Sequence, residues 1–291
     1  MLGIVAEGGA SRTVYSAGVM DTLLKNGIVA DYFLGVSAGI AFGASYCSMQ
    51  PERNRKLIEN FFCTPEYFGA KHLLNPANRS YYNLDYVFGK VPNELLFFDF
   101  EALQRNPARV IAGVTDLETA EPVYMELDRA DREFKALRAS CALPLLFPPI
   151  EINGRKYMDG GIADSIPFKK ALADGCDKLI VILTRERGYI KRDEPTKKLL
   201  SAAYKKYPAF CRLLETRAER YNQSVAELEK LREQGKVFVY NPKKSLLVSR
   251  TENDKQKIMR LYDHGVKHAE WSMESLHRYL SAAGQERNEH P

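Results

Sequence analysis

Several things the 291-residue chain has little of narrow its class. No excess of one charge marks it: 42 Lys and Arg against 37 Asp and Glu leave +5, too thin a surplus for a nucleic-acid surface. Cysteines are few (Cys47, Cys63, Cys141, Cys176 and Cys211). An odd number without a CxxC pair excludes a closed disulfide framework and fits free thiols in a reducing compartment. The first residues, MLGIVAE, lack the basic start and longer apolar run of a secretory signal. The expected location is therefore cytoplasmic, with membrane association left open. The one long uncharged stretch, residues 32–50, is rich in Gly and Ser rather than Leu and Ile. That favours a buried strand running into a buried helix over a membrane span. No internal repeat is visible. What remains, 45% hydrophobic and 27% charged, is ordinary globular composition over a length of one or two domains.

The apolar run 2–6 is followed at once by Gly8-Gly9-Ala10-Ser11-Arg12, and then by apolar residues at helical spacing over 14–24. This reads as strand, glycine loop and helix, closed by Gly27. Residues 32–36 predict a second strand and Ala38 begins a second helix. Two strands joined by a helix make a βαβ unit, hence a parallel pair with a right-handed crossover and helices on the sheet faces. Residues 51–107 show a helical patch at 55–62 and aromatic loops near 67–86, without a clear order. Runs 110–114 and 122–127 read as strands around a polar turn, and 132–140 as a short helix. Asn153-Gly154 between two strand-like runs signals a hairpin whose second arm ends at Asp159-Gly160-Gly161. Residues 178–184 (KLIVILT) are the clearest buried strand. Beyond Arg185 the chain is basic and helical, with Tyr221, Val225, Leu228 and Leu231 as one apolar stripe. A last strand at 236–240, a long helix over 252–280 and a frayed polar tail at 284–291 complete the reading.

Gly35-Val36-Ser37-Ala38-Gly39 matches GxSxG, in which a serine sits on a tight strand-to-helix turn, and here it falls between a strand and a helix as that pattern requires. The strained serine backbone brings it close to its neighbours, so glycine is needed two residues away on each side. A serine hydroxyl needs a proton acceptor. Of five histidines, His264, His268 and His277 share one C-terminal helix, while His72 and His290 lie elsewhere. They read as exposed or hydrogen-bonded helix residues, with a Ser-His-Asp esterase through His264 or His268 as one alternative. Only one strand precedes the elbow strand, which disfavours an α/β-hydrolase. Asp159 is the other acceptor, because the glycines after it admit a second loop. Its ordinary pKa of about 3.9 must then be raised by burial, or its hydrogen bond must do much of the work. The same Asp-Gly pair is also a common hairpin exit, and on the motif alone neither reading wins. Gly8, Gly9 and Ala10 offer successive N–H groups at a helix start, where a developing oxyanion is best held. For a dinucleotide the GxGxxG spacing is absent and Asp31 opens the second strand rather than ending it. Arg12 either meets the anionic head of a substrate or braces the loop through an ion pair.

Together, Glu7-Gly8-Gly9-Ala10-Ser11-Arg12, the elbow at 35–39, Ala139-Ser140-Cys141-Ala142-Leu143-Pro144 through Phe147-Pro148-Pro149, and Asp159-Gly160-Gly161 resemble the patatin-like phospholipase family in order and spacing. The resemblance implies an α/β fold, a three-layer α/β/α sandwich on a mostly parallel sheet. Residues 1–185 would form the catalytic domain, and 186–291 a mainly helical extension packed on it. It implies Ser37 as nucleophile, Asp159 as base, and an oxyanion hole from Gly8, Gly9 and Ala10. Arg12, Gly35, Gly39, Gly160 and Gly161 would support them. The activity implied is hydrolysis of lipid or lysolipid carboxylic esters without metal or cofactor. The expected partner is the lipid ester, with peripheral membrane contact and oligomeric state left open and no nucleic acid. Two departures stand out: the family loop reads Gly-Gly-Gly-x-Arg-Gly, whereas this chain has Ala10 at the third glycine and Thr13 after the arginine. The Ala10 N–H stays usable if its backbone angle is negative. The calcium-binding membrane module of some relatives is missing. A lipid-binding or regulatory protein of the same fold with negligible turnover is the alternative. The basic segment 191–220, with Tyr204, Tyr207 and Phe210 interleaved, reads as a solvated helix face, against a membrane-surface or lid reading.

Overall fold

The computed structural model describes residues 1–74, 80–193, 196–246 and 248–282; the tail expected to fray lies outside them. In chain order the elements are β1 (Leu2–Ala6), α1 (Val14–Lys25), β2 (Tyr32–Val36), α2 (Ala38–Cys47), α3 (Arg53–Leu57), α4 (Phe100–Arg105), β3 (Arg109–Asp116), β4 (Pro122–Glu126) and α5 (Lys135–Ser140). Next come β5 (Ile150–Ile152), β6 (Arg155–Asp159), α6 (Phe168–Ala173), β7 (Lys178–Ile182), α7 (Lys197–Ala203), α8 (Pro208–Glu215), α9 (Arg217–Glu233), β8 (Phe238–Tyr240) and α10 (Lys255–Ser281). The stretch that gave no clear order contains two π-helical segments, Ile58–Phe62 and Tyr86–Leu95.

One mixed sheet of eight strands runs β5-β6-β3-β2-β1-β7-β8, with β4 also on β3. Strands β3, β2, β1, β7 and β8 are mutually parallel, as the βαβ reading expects. Strands β4 and β6 pair antiparallel with β3, and β5 pairs antiparallel with β6. The β5–β6 turn is the expected one: Asn153 and Gly154 both have positive φ, 51° and 77°, which gives the turn a twist that matches the strands. Alternate residues of the parallel strands face opposite layers. Ile4, Phe33 and Ile180 pack with α1, α2 and α10 residues, while Val5, Leu34 and Val181 pack with Phe168, Tyr221 and Leu228 of α6 and α9. That alternation produces three layers, helices on both faces of the sheet.

Strand β3 is the strand on which two distant ends of the chain converge. Its residues 111–115 pair with β4, while 109–113 pair with β2 and 114–116 with β6. The overlap forces β2 and β6 onto the same edge, one after the other. They approach head-on, with Val36 opposite Gly113 and Asp159 opposite Val114. Sequence-distant ends thereby meet.

The part of the chain beyond residue 185 is built into this body. Strand β8 pairs with β7, and α10 begins at Asp254, whose side chain accepts from the N–H groups of Gln256 and Lys257 at 2.9 and 3.1 Å. Buried Asp21 of α1 accepts from Tyr262 Oη of α10 (2.7 Å) and from Asn54 Nδ2 of α3 (3.0 Å). Among the described residues no helix is long and apolar enough to cross a membrane. Residues 32–50 form β2 and α2, as their glycine and serine content suggested.

Candidate active site

Because β1, β2 and β7 are parallel, their carboxyl ends open on one rim, the usual place for a ligand in an α/β sheet. Glu7 to Ala10 leave β1 there, Ser37 leaves β2, and Thr184 and Arg185 succeed β7.

Ser37 has φ 55° and ψ −130°, a conformation costly for a residue with a side chain. Its N–H donates to Ser140 Oγ at 2.7 Å, and that hydroxyl donates to the Gly113 carbonyl at 2.7 Å. Ser140 thus ties the elbow to β3, a role the sequence block containing it did not disclose. The flanking glycines are needed for close approach, as the GxSxG pattern requires. A Cβ on Gly39 would lie 2.3 Å from the Ala6 carbonyl oxygen, and one on Gly35 2.6 Å from the Ile40 backbone. The glycine loop passes directly in front of the serine, where a Cβ on Gly8 would be 2.7 Å from Ser37 Cβ. Ala10 departs from expectation: its φ is +52°, so the third loop position is held in the left-handed region that glycine adopts freely.

Asp159 ends β6 and is 2% exposed. Its Oδ1 accepts from the Gly161 N–H at 2.8 Å, and its carbonyl accepts from Thr115 Oγ1 at 2.8 Å. Oδ2 is buried without a hydrogen-bond partner among the described residues. Burial pushes the Asp159 pKa above the ordinary carboxylate range. The neighbouring Ser37 hydroxyl, the Gly161 N–H, Arg217 and Arg250 pull in the opposite direction. Serine and acid are therefore neighbours. Gly160 and Gly161 open the turn after the acid, and the Gly161 carbonyl accepts from Arg217 Nε at 2.8 Å. The Cys141 thiol also neighbours the Ser37 hydroxyl, and burial pushes its pKa up.

The basic segment differs from a solvated helix face. Arg217 holds Gly161, and Arg220 holds the carbonyls of Ala163 and Ile162. Nothing in the spacing of these arginines signalled the contact.

Two cavities meet at Ser37, Ala10 and Leu143. The first is walled by Phe42, Phe62, Tyr82, Phe88, Phe134 and Phe147. Its apolar wall matches the chemistry of an alkyl chain. The second contains Asp159, Glu7 and several cations, among them Arg12. Arg12 is 8% exposed, and burial together with Arg185 and Arg250 lowers its pKa to about 10. Among the described residues no histidine lines either cavity. His268 Nδ1 instead meets Tyr15 Oη at 2.7 Å, and His264 Nε2 accepts from the Lys243 N–H at 3.0 Å. Burial, His268 and Lys243 lower the His264 pKa to about 4. Both rings serve the packing of α10 on α1. Among the described residues no group of three or more His, Cys, Asp and Glu is arranged to hold a metal ion.

The protein of Escherichia coli (strain K12) named Uncharacterized protein YjjU is 26% identical over 197 residues, 63% of this chain and 52% of that protein. Proteins named Lysophospholipase NTE1 from Scheffersomyces stipitis and Candida albicans are each 24% identical over 188 residues, 62% of this chain but 11% and 13% of theirs. The chain thus matches about half of the first relative and about a tenth of the others. The solved structure of VipD from Legionella pneumophila shares the fold, with a TM-score of 0.54 at 14% identity, over 94% of this chain and 66% of that one. Residues 207–281 match a domain of unknown function, DUF6363. Residues 4–172, which carry the glycine loop, the elbow and the Asp159 turn, match the patatin-like phospholipase model. With more than half its length inside that match, the chain belongs to the patatin-like phospholipase family.

Proposed function

We propose that this protein is a serine acyl hydrolase that cleaves the carboxylic esters of phospholipids or lysophospholipids through an acyl-enzyme. Ser37 attacks the ester carbonyl while Asp159 takes its proton directly, through Oδ2. The N–H groups of Gly8 and Gly9, and that of Ala10 held in the left-handed conformation a third glycine would adopt, hold the oxyanion, aided by the N-terminus of α2. The leaving alcohol takes the proton from Asp159. Water then attacks the acyl-serine with Asp159 again as base. The observation that carries this reading is the buried Asp159 carboxyl beside the Ser37 hydroxyl, with its Oδ2 lacking a hydrogen-bond partner among the described residues, at the junction of an apolar and a cationic cavity. Raising the carboxylate pKa by burial makes it a stronger base. The similarity to proteins named lysophospholipases supports the substrate class. The five free cysteines support a cytoplasmic place of work.

A fluorophosphonate probe should label the unmodified protein and leave Ser37→Ala unlabelled, with lipid products seen by mass spectrometry only for the former. Equal labelling of the two overturns the nucleophile assignment. The strained Ala10 keeps a second reading alive, a lipid-binding protein of the same fold without turnover. Ester cleavage that disappears in Asp159→Asn excludes it.

A further inference from the structure

Most of the cations of the cavity beside Ser37 lie outside the stretch that matches the family. Arg12 belongs to that stretch, but Arg185, Lys191, Arg217 and Arg250 come after it, the last two inside the domain of unknown function. Two of them are anchored through their backbones. The Arg250 carbonyl accepts from the Ser11 N–H (3.2 Å) and from Tyr82 Oη (3.0 Å). The Lys191 backbone is clamped by Asn222 of α9, whose Oδ1 accepts at 2.7 Å and whose Nδ2 donates at 3.0 Å.

Two carboxylates share the cavity with five cations and offset only part of their charge. Glu7 Oε2 accepts from the Thr184 N–H (2.6 Å) and hydroxyl (3.0 Å), and Asp159 faces Ser37. Arg12 is more than nine-tenths buried, lines this cavity and has an Nε–H with no hydrogen-bond partner among the described residues. A buried guanidinium with an orphan donor, crowded by Arg185 and Arg250, is a site arranged for an anion.

The aromatic faces indicate which anion. Arg185 lies 4.2 Å from the centre of the Tyr189 ring, and Lys191 Nζ lies 4.9 Å from that of Tyr221. Both rings line the cavity, and each already carries a cation, so a quaternary ammonium group would compete with a resident charge for them. A choline or ethanolamine head would bring another positive charge into this cluster. A terminal phosphate monoester brings close to two negative charges and several acceptor oxygens.

We propose that Arg12, Arg185, Lys191 and Arg250 form the seat of a phosphate monoester, so that the preferred substrate is an acylated glycerol phosphate, and that the C-terminal segment exists in this chain to complete that seat. The substrate half rests on the acyl hydrolase reading. The acyl chain occupies the apolar cavity, the ester sits at Ser37, and the phosphate lies across from it. Atom balance is that of ester hydrolysis: one C–O bond breaks, one water is consumed, and a fatty acid and glycerol phosphate leave.

The test compares kcat/KM for 1-acyl-glycerol 3-phosphate with that for the glycerophosphocholine lipid of the same chain. We expect a preference of about tenfold or more for the phosphate, falling toward one in Arg185→Gln/Lys191→Gln. A ratio near one or below in the unmodified protein overturns the substrate assignment, whether or not the variant folds. Calorimetry on Ser37→Ala, which needs no turnover, uses inorganic phosphate, glycerol 3-phosphate and the acylated glycerol phosphate as separate ligands. Binding of the acylated form at least tenfold tighter than the other two identifies a lipid head-group seat. Equal binding of inorganic phosphate and the lipid identifies a free-phosphate site and overturns the substrate half. Phosphate binding without hydrolysis of any ester leaves the seat standing and removes the hydrolase reading. No binding of any of the three overturns the seat itself.

Discussion

Replacing Gly39 by alanine should damage the elbow far more than the fold. The added Cβ would lie 2.3 Å from the Ala6 carbonyl oxygen and 2.9 Å from the Glu7 oxygen, where ordinary contact begins at 3.4 Å. One side must give by about 1 Å. Strand β1 cannot, because it is hydrogen-bonded to β2 on one side and β7 on the other. The start of α2 therefore moves, and with it Ser37, two residues earlier. Overpacking of this kind costs about 1–3 kcal/mol, a few degrees in Tm for a chain of this size. A displacement of about 1 Å at the reacting atom costs about 100-fold in rate. The assay is kcat/KM on a nitrophenyl ester beside a thermal melt. Gly235→Ala is the control: that glycine has φ +68° and open space around its missing Cβ, so it loses about 1 kcal/mol of backbone comfort and no activity. A Gly39→Ala protein that keeps its activity within about threefold, or loses no more than the control, would show that β1 does not hold the elbow in place.

Asp159→Asn should lower kcat by about 10²–10⁴-fold and raise Tm, because burial makes the native state hold this proton more tightly than the unfolded chain does. In the unmodified protein the rate should fall on the acid side at a pH above the ordinary carboxylate range; an acid limb within that range would contradict the raised pKa. For Asp21, 1% exposed and pushed up to about 6 chiefly by burial, the native state again binds the proton more tightly. Its stabilising contribution is complete below about pH 4 and is lost as pH rises through about 6. A rise of about two pH units from 3.8 amounts to about 3 kcal/mol. Asp21→Asn should therefore gain about 2 kcal/mol on the unmodified protein between pH 4.5 and pH 8 in urea titrations, whatever fixed hydrogen-bond cost it carries; a constant difference sinks the idea. Ala10→Gly should gain about 0.5–1 kcal/mol, strain relief exceeding the added freedom of the unfolded chain, and a lower melting temperature would show that φ +52° is not strained.

The residues legible in the sequence are those whose role depends on neighbours two to four positions away. The GxSxG turn, the Asn153-Gly154 hairpin and the buried strand β7 are local patterns, and each lies where its pattern places it. Ser140 could not be read, because its work is to link the Ser37 N–H to the Gly113 carbonyl, three points spread over a hundred residues. The arginines of the cationic cavity were opaque for the same reason: Arg185, Arg217 and Arg250 share no period and sit on separate elements. A surface-like composition hid a set of half-buried cations that share one cavity. The aromatic stretch 67–86 resisted ordering because its rings pack on one another as a cluster, and because π-helical segments on either side of it match neither a 3.6 nor a 2.0 period.

Gly113 and Val114 are consecutive residues of β3, and each faces the end of a different strand. The spacing of alcohol and acid is therefore gauged by a single peptide unit. A hairpin exchanged as a cassette, of whatever length or tip sequence, would deliver its acid to the same spot provided it zipped onto residues 114–116 in the same frame. A slip of one residue would turn that carboxylate to the opposite face. The loops around the rim are free to diversify among descendants, while this three-residue seam is not.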